Sequence, residues 1–212
     1  MKDSGFLWRG LMAGVCISLG GCIYLKVGGV AGAVLFAFGL IAVVTLGLNL
    51  FTGKAQFVWS PRVSQTEQGG YLWLLSILLL NIMGCLAAGL LLASTEMQAA
   101  AASVLDKRLS MTPLRNALLA VGCGFVMTLA VQNAAKGKWL PLLFGIPAFI
   151  ICGLPHCVAD AFYMASLPAE YIGRHLSDLT IFYVSIVAGN FVGCNAYRLV
   201  NVKQEQAREV WP

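Results

Sequence analysis

The feature that most constrains this chain is an apolar stretch, residues 139–167, that is long enough to cross a bilayer but is interrupted by Gly153-Leu154-Pro155-His156. Pro155 removes a backbone donor and clashes with the preceding helical turn, and Gly153 tolerates backbone angles that other residues avoid, so a straight helix is not expected here. Irregular backbone at membrane depth persists only where protein buries it or where it lines a wet cavity. Because ionisable residues at such depth usually mark functional sites, we interpret His156 as the centre of a transport path.

The composition is that of a membrane protein. Of the 212 residues, 59% are hydrophobic and 11% are charged, whereas soluble domains carry about 25% charged residues. A helix needs roughly 20 mostly apolar residues to cross a bilayer. Six segments are predicted as spans: 7–25, 30–50, 71–93, 116–131, 139–166 and 179–197. They leave no room for a second domain, so residues 1–212 are predicted to form a single transmembrane domain.

The basic residues predict the orientation in the membrane. With the N-terminus inside, the larger group lies on the internal side: Lys2, Arg9, Lys54, Arg62, Lys136, Lys138, Arg198, Lys203 and Arg208. The smaller group lies outside: Lys26, Lys107, Arg108, Arg115 and Arg174. This bias favours a multi-pass protein of the cell (inner) membrane with both termini in the cytoplasm. Because the basic residues are scattered over loops rather than concentrated on one face, nucleic acid is not an expected partner.

The chain contains a predicted internal duplication. The pattern Asn-x-x-Gly-Cys occurs in the third span, at residues 81–85, and in the sixth, at residues 190–194. Residues 47–54 form a second glycine-flanked interruption. Each copy of the motif is therefore preceded, at near-equal spacing, by an arginine and an interrupted span. On residue count alone, residues 47–54 could instead be only a helix cap at the membrane interface. With three spans in each unit, the second copy must be inverted, and broken helices of inverted repeats meet at the bilayer midplane. Repeat one is predicted at residues 5–95 and repeat two at residues 112–200.

Charged residues near the main interruption have two possible roles. Asp160 lies one turn after His156 and shares its helix face. It is the only acid predicted within a span, and we favour a hydrogen-bonded structural anchor over a direct contact with substrate. Lys107, Arg108 and Arg115 lie in or just after a predicted outer loop, residues 94–112, with an alanine-rich helical run. They are either solvated loop charges or a basic vestibule that concentrates anions.

The seven cysteines all fall inside predicted spans. None forms a Cys-x-x-Cys pair, so small buried hydrophobes are favoured over disulfides or metal ligands. No cofactor is expected.

Two segments carry a resemblance to a known family. Residues 47–53, G-L-N-L-F-T-G, and residues 148–162, A-F-I-I-C-G-L-P-H-C-V-A-D-A-F, resemble the two signature loops of the formate/nitrite transporter family. The resemblance covers essentially the whole chain. It implies an all-α membrane protein with six transmembrane helices arranged as two inverted three-helix repeats, with helices 2 and 5 broken, in an aquaporin-like protomer. It also implies a homopentamer in which each protomer has its own pore.

The resemblance assigns pore residues by position. The pore histidine matches His156, and the loop threonine that faces it matches Thr52. The outer constriction matches Phe36, Leu40 and Phe149, and the inner constriction matches Leu50 and Phe51. The chain departs from the family pattern at Asn49 and Pro155, which replace acids, and at Asp160, which replaces an asparagine. Because a carboxylate beside a histidine stabilises the imidazolium and opposes an incoming anion, Asn49 and Asp160 are predicted to tune the pore.

The function that the resemblance implies is a membrane channel or transporter for a small monovalent weak-acid anion, with formate favoured and nitrite or hydrosulfide as alternatives. Its partners would be that anion, a proton taken up at the pore histidine, and the lipid bilayer. A neutral-solute channel of the aquaporin kind would need paired Asn-Pro-Ala loops, which the sequence lacks. An enzyme is not expected, since a membrane oxidoreductase would need paired cysteines or several haem-ligand histidines, and the predicted spans offer one histidine.

Overall fold

The computed structural model describes residues 4–58 and 70–207, with side-chain surroundings for residues 5–58 and 70–196. The described residues are helical and contain no strand, which confirms the predicted all-α class. The helices are α1 (Ser4–Val27), α2 (Gly29–Thr45), α3 (Phe51–Lys54), α4 (Tyr71–Leu92), α5 (Thr95–Leu109), α6 (Pro113–Ala134), α7 (Leu140–Ile151), α8 (Cys157–Ala165) and α9 (Ala169–Ala207). A short 3₁₀ turn, Ala55–Phe57, continues α3.

Some predictions fall on parts of the chain that the structure does not describe. Of the basic residues predicted on the internal side, Lys2, Arg62 and Arg208 lie outside the described residues. The side chains of Arg198 and Lys203 lie outside them too.

Four helices in the described part of the chain are long and apolar enough to cross a membrane. They span Gly5–Val27, Tyr71–Leu92, Pro113–Ala134 and Ala169–Ala196. Two shorter apolar helices, α2 and α7, each stop at an interruption that is followed by a short helix, α3 or α8. The second interruption, residues 152–156, falls where the sequence predicted it. The first, residues 46–50, is shorter than the predicted 47–54, because residues 51–54 form α3. We call these interruptions the first break and the second break.

The helices before the two breaks end in the same way. Gly47 and Gly153 have φ angles of 62° and 67°, in the left-handed region that favours glycine. The residue after each glycine donates its N–H to the carbonyl five residues earlier, at 2.9 Å in both cases. This arrangement satisfies carbonyl groups that a helix end would otherwise leave unpaired. Each break is therefore an ordered helix terminus and not a loose segment.

The glycine of each Asn-x-x-Gly-Cys motif lies at a tight helix crossing. A Cβ atom on Gly84 in α4 would lie 2.2 Å from the carbonyl oxygen of Leu11 in α1. One on Gly193 in α9 would lie 2.0 Å from the carbonyl oxygen of Val121 in α6. Both obstacles are backbone atoms, which cannot move aside as a flexible side chain can. The glycines thus allow α1 to pack on α4, and α6 on α9, at the close approach typical of membrane helices.

Two segments predicted to connect spans are largely helical, and in the first of them the alanine-rich run had predicted a helix. Most of residues 94–112 form α5, which Ser94 caps by accepting from Met97 N–H, and which buries Met97, Ala101 and Leu105. Helix α9 begins at Ala169 rather than near residue 179, with a kink at His175. Its first turns carry Glu170, Arg174 and Asp178. These turns are helical but too polar to be predicted as part of a membrane span.

Candidate functional site

The two broken helices meet at a hydrogen bond between a hydroxyl and an imidazole. Thr52 lies in α3, just after the first break, and His156 is the last residue of the second break. Thr52 Oγ1 lies 2.9 Å from His156 Nε2, and both residues are buried. The structure therefore brings together the two residues that the resemblance assigned to the pore.

The backbone around His156 fixes which ring nitrogen carries the proton. His156 is the N-cap of α8, and its Nδ1 accepts the N–H of Ala159 at 3.2 Å. A nitrogen that accepts cannot carry a hydrogen, so the neutral ring holds its proton on Nε2. His156 consequently donates to the hydroxyl oxygen of Thr52. A ring protonated on both nitrogens would have to give up the N–H of Ala159.

Aromatic side chains close the space on one side of His156. The ring centroid of Phe149 lies 5.9 Å from that of His156, and Phe36 meets Phe149 edge-on at 6.1 Å. The other predicted constriction residues, Leu40, Leu50 and Phe51, lie in the same buried core, each at most 3% exposed. The surroundings of the Thr52–His156 pair are thus apolar on the Phe149 side.

The asparagine of the first Asn-x-x-Gly-Cys motif ties the first break to its neighbours. Asn81 Oδ1 accepts the N–H of Phe51 at 2.8 Å. Its Nδ2 donates to the carbonyl of Gly10 in α1 at 2.8 Å and to that of Asn49 in the break at 2.9 Å. All three bonds are buried, so one side chain fixes both ends of the interruption. Asn49, a predicted tuning position, is 9% exposed and is held through its backbone.

Asn190, in the second motif, makes the equivalent three bonds at the second break. Its Oδ1 accepts the N–H of Cys157 at 2.7 Å. Its Nδ2 donates to Ala120 O in α6 at 2.8 Å and to Pro155 O in the break at 3.0 Å. The repeated sequence motif thus corresponds to a repeated structural contact.

The motif cysteines contact the opposite break. Cys85, in the first motif, donates through Sγ to the carbonyl of Val158 at 3.3 Å, just after the second break. Cys194, in the second motif, donates to the carbonyl of Thr52 at 3.2 Å, just after the first. The prediction that these cysteines are only small buried hydrophobes is incomplete. Each links one half of the chain to the short helix of the other.

Asp160 is held by two groups. Its Oδ2 accepts the N–H of His156 at 2.8 Å, which is the predicted role of hydrogen-bonded anchor. Its Oδ1 lies 3.6 Å from Nε of Arg108, a residue of α5. Arg108 Nη1 also donates to the carbonyl of Gly153 in the second break. The side chain of Arg108 is 11% exposed and that of Asp160 is 1% exposed, so Arg108 is not a solvated loop charge.

A cavity of about 410 Å³ leads to His156. Its charged lining consists of Lys107, Arg108, Arg115 and Asp160, and Phe149 and His156 also line it. We call this space the basic cavity. Because three cations and one carboxylate surround it, a small anion inside it meets a positive potential. The structure therefore gathers the predicted vestibule residues around one space that contains the predicted pore histidine.

The ion pair and the roles of the motif residues were not deduced from sequence. Arg108 and Asp160 are far apart in the chain, and no periodic pattern joins them. The two asparagines did carry a signal, because an amide buried in an apolar span needs hydrogen-bond partners. The recurrence of the motif predicts a duplication but does not identify the contacts of the two asparagines.

Comparisons with known proteins agree with this architecture. The sequence model for the family described as Formate/nitrite transporter matches residues 1–201. The chain is 30% identical over 236 residues to the uncharacterized transporter YrhG of Bacillus subtilis (strain 168), an alignment that covers 94% of this chain and 86% of YrhG.

Two solved structures share the fold, each with a TM-score of 0.78 and 18% sequence identity. One is a pentameric formate channel with formate bound, matched over 96% of this chain and 97% of that one. The other is an ion channel of the FNT family, matched over 95% of this chain and 90% of that one. With the family match over nearly all its length, the chain is a membrane protein that belongs to the formate/nitrite transporter family.

Proposed function

We propose that this chain forms a channel for a small monovalent weak-acid anion, with formate as the favoured substrate. One observation carries the proposal. The Thr52–His156 hydrogen bond lies where two broken helices meet, in apolar surroundings, beside a cavity lined by three cations. The similar fold of a pentameric channel with formate bound supports this choice of substrate. Nitrite and hydrosulfide are of the same chemical class and belong in the same test.

The proposed mechanism follows from the cost of burying charge. An anion that leaves water for an apolar gap loses several kcal/mol of solvation. Lys107, Arg108 and Arg115 would attract the anion into the basic cavity, which the predicted topology places outside the cell. A proton that joins the anion at or near His156 converts it to the neutral acid. The neutral acid then passes the Thr52–His156 pair at a much lower cost.

The remaining assignments belong to the same proposal. Phe36, Leu40 and Phe149 form the outer constriction, and Leu50 and Phe51 form the inner one. The chain is a single domain of two inverted repeats that lies in the cell (inner) membrane with both termini in the cytoplasm. Five copies assemble, each with its own pore. The two equivalent asparagine contacts support the duplication.

Flux through purified protein in liposomes tests the proposal. Wild-type protein is expected to dissipate a formate gradient faster than protein-free liposomes, and faster as the pH falls from about 8 to 5, because more substrate and protein are protonated. A His156→Phe variant is expected to lose most of this flux, since phenylalanine fills the space but cannot donate to Thr52 or to a substrate. Formate, nitrite, hydrosulfide and glycerol are compared in parallel.

Three results would contradict the proposal. Wild-type flux equal to that of protein-free liposomes for all three anions would remove the channel function. Unchanged flux and pH dependence in His156→Phe would leave a channel whose histidine has no role. Faster movement of glycerol than of any weak acid would favour a neutral-solute channel instead.

A further inference from the structure

The buried ion pair of Arg108 and Asp160 lines the basic cavity next to His156. Helix α5 supplies the cation and α8 supplies the carboxylate, so the pair joins two separate elements. Arg108 is anchored by its bond to the carbonyl of Gly153, and Asp160 by its bond from the N–H of His156. Both charged groups are therefore held in place at the cavity wall.

Each partner retains one atom without a hydrogen bond among the described residues. These atoms are Nε of Arg108 and Oδ1 of Asp160, which face each other at 3.6 Å. The distance is too long for a direct hydrogen bond. Nε can donate to an anion, and Oδ1 can accept a proton. Both atoms are buried at the cavity wall, and each has unused hydrogen-bonding capacity, Nε for an anionic oxygen and Oδ1 for a proton.

The substrate anion and the carboxylate of Asp160 compete for the positive charge of Arg108. A buried cation needs one compensating negative charge, which Asp160 supplies when the cavity holds no substrate. An anion that binds Arg108 makes the carboxylate surplus, and two negative charges beside one cation repel each other. Protonation of Asp160 removes that repulsion. Anion binding and proton binding therefore favour each other, and the coupling is reciprocal.

We propose that Asp160 carries the proton that neutralises the substrate, while Arg108 binds the anion. This inference rests on the proposed function and specifies its proton-transfer step. A proton from water in the cavity first binds Oδ1 of Asp160, and the anion pairs with Arg108. The O–H bond of Asp160 then breaks as an O–H bond forms on the anion. The neutral acid moves on to His156, and the Asp160 carboxylate pairs again with Arg108. One proton crosses with each anion, and no oxidant or reductant takes part.

His156 is poorly arranged for the same step. Its Nδ1 accepts from Ala159, and its Nε2–H points at Thr52. A neutral imidazole that gave its single N–H proton to a substrate would become an imidazolate, a far stronger base than any carboxylate. The ring is instead arranged to donate a hydrogen bond to the acid as it passes. Asp160 is the carboxylate on the cavity wall among the described residues, which makes it the fitting proton carrier.

The groups around Asp160 come from every element packed near it. The charged ones are Lys107 and Arg108 of α5 and Arg115 of α6. The ionisable groups that are neutral in ordinary conditions are the phenols of Tyr24, Tyr163 and Tyr183 and the thiols of Cys85, Cys123 and Cys157. The imidazole of His156 completes the set. Among the described residues no second carboxyl group lines the basic cavity, so the charge of Asp160 can change without another carboxylate titrating beside it.

The test compares Asp160→Asn with Asp106→Asn in proteoliposomes. The asparagine at 160 keeps an oxygen that can accept from the N–H of His156 but cannot carry a proton to the substrate. Asp106 is a matched control, because it lies two residues from Arg108 on α5 but is exposed and pairs with Tyr171. Labelled formate and a trapped pH indicator report the ratio of protons to formate, with the membrane potential clamped and protein-free liposomes as background.

The expected results differ clearly. Wild-type and Asp106→Asn proteins move one proton with each formate, at a rate independent of the clamped potential. Asp160→Asn loses at least tenfold in coupled flux, and its remaining flux depends on the potential because the anion itself moves. Should Asp160→Asn keep the wild-type ratio and pH dependence, the inference is wrong and the channel function stands. Wild-type flux at background would instead overturn the proposed function, and this inference with it.

A second variant covers the case in which Asp160→Asn does not fold. The double variant Arg108→Gln, Asp160→Asn removes both charges and leaves neither buried without a partner. It is expected to fold and to lose coupled flux by a similar factor. Formate and proton movement at the wild-type rate in this double variant would also overturn the inference.

Discussion

The two breaks have the same backbone contacts but differ in the side chains they present. A glycine with positive φ ends the helix before each break, and an asparagine ties the two ends of each together. Phe51 and Cys157 donate the equivalent N–H groups, so the residues before them, Leu50 and His156, occupy the same place. The two breaks therefore share their backbone scaffold, and the imidazole belongs to the second break alone.

The difference extends to the next helical turn. Lys54 donates its N–H to the carbonyl of Leu50 at 3.0 Å, and Asp160 donates to that of His156 at 2.8 Å. A cation thus follows the first break where a carboxylate follows the second. Asn49 N–H needs the carbonyl of Arg9, whereas Pro155 has no N–H to satisfy. The two breaks thus share their asparagine contacts, while their ionisable groups differ.

The largest effect is expected when the shared scaffold is removed. Asn81→Leu and Asn190→Leu keep a similar volume, but each leaves the N–H and the carbonyl at the two ends of its break without a partner. The third carbonyl, in α1 or α6, keeps the N–H of its own helix. Since each unpaired buried group costs about 1–3 kcal/mol, either variant should lose about 2 kcal/mol or more of unfolding free energy. Denaturant unfolding in detergent micelles, followed by helical circular dichroism, measures the loss.

Equal losses would support the equivalence of the two breaks. Asn133→Leu is the control, since among the described residues its amide bonds only the carbonyl of Leu129 in its own helix. It should remain close to wild type. If either motif variant kept wild-type stability, that asparagine would not hold its break, and the comparison between the halves would fail.

The positions of the helix breaks could be predicted from the sequence better than the contacts of the charged residues. Glycine and proline restrict φ and remove donors locally, so both interruptions could be placed from residues 47–54 and 153–156. The pairing of Thr52 with His156 came from the family resemblance, because nothing local brings α3 to α8. The alanine-rich run predicted a helix within residues 94–112, but the extent of α5 and the start of α9 at Ala169 were missed, since these turns are too polar to resemble a span.

The Arg108–Asp160 pair shows why the rest could not be predicted. Asp160 could be placed beside His156, because one helical turn separates them. Its partner lies in a segment that reads as a solvated loop, and only the packing of α5 against α8 brings Arg108 to it. The thiol contacts of Cys85 and Cys194 could not be predicted from the sequence either, since each joins residues from opposite halves of the chain.

A smaller effect on stability, with a large effect on flux, is expected from separating the two contacts of His156. His156→Asn keeps a side chain that can cap α8 but is too short to reach Thr52. His156→Ala loses both contacts and should cost about 1 kcal/mol more, the usual value of an N-cap. Both variants should lose most formate flux. Unfolding and liposome flux are measured on the same preparations.

The control for the cap alone is Ser94→Ala, which removes the N-cap of α5 at a position away from the basic cavity. It should lose about 1 kcal/mol of stability while its formate flux stays at the wild-type level. Leu50, at the equivalent place in the first break, provides no side-chain cap. If His156→Asn proved as unstable as His156→Ala, the imidazole would not stabilise α8 through Ala159, and the proton position on Nε2 would lose its support.

The smallest effect on stability is expected from the cysteine variants. It tests whether the two breaks stabilise each other. Cys85→Ala and Cys194→Ala each remove a weak Sγ–H donor, so each should cost about 1 kcal/mol or less. The carbonyls they contact belong to α8 and α3, which also share the Thr52–His156 bond. Removing a contact of one short helix should therefore weaken the contacts of the other.

We expect the double variant Cys85→Ala, Cys194→Ala to differ from the sum of its single variants by about 0.5 kcal/mol or more, as residues in one connected network do. The matched control combines Cys194→Ala with Cys22→Ala, because Cys22 is a partly buried cysteine of α1. That pair should be additive. Strict additivity for Cys85 and Cys194 as well would mean that each break is stabilised independently. The Thr52–His156 hydrogen bond would then join two breaks that do not stabilise each other.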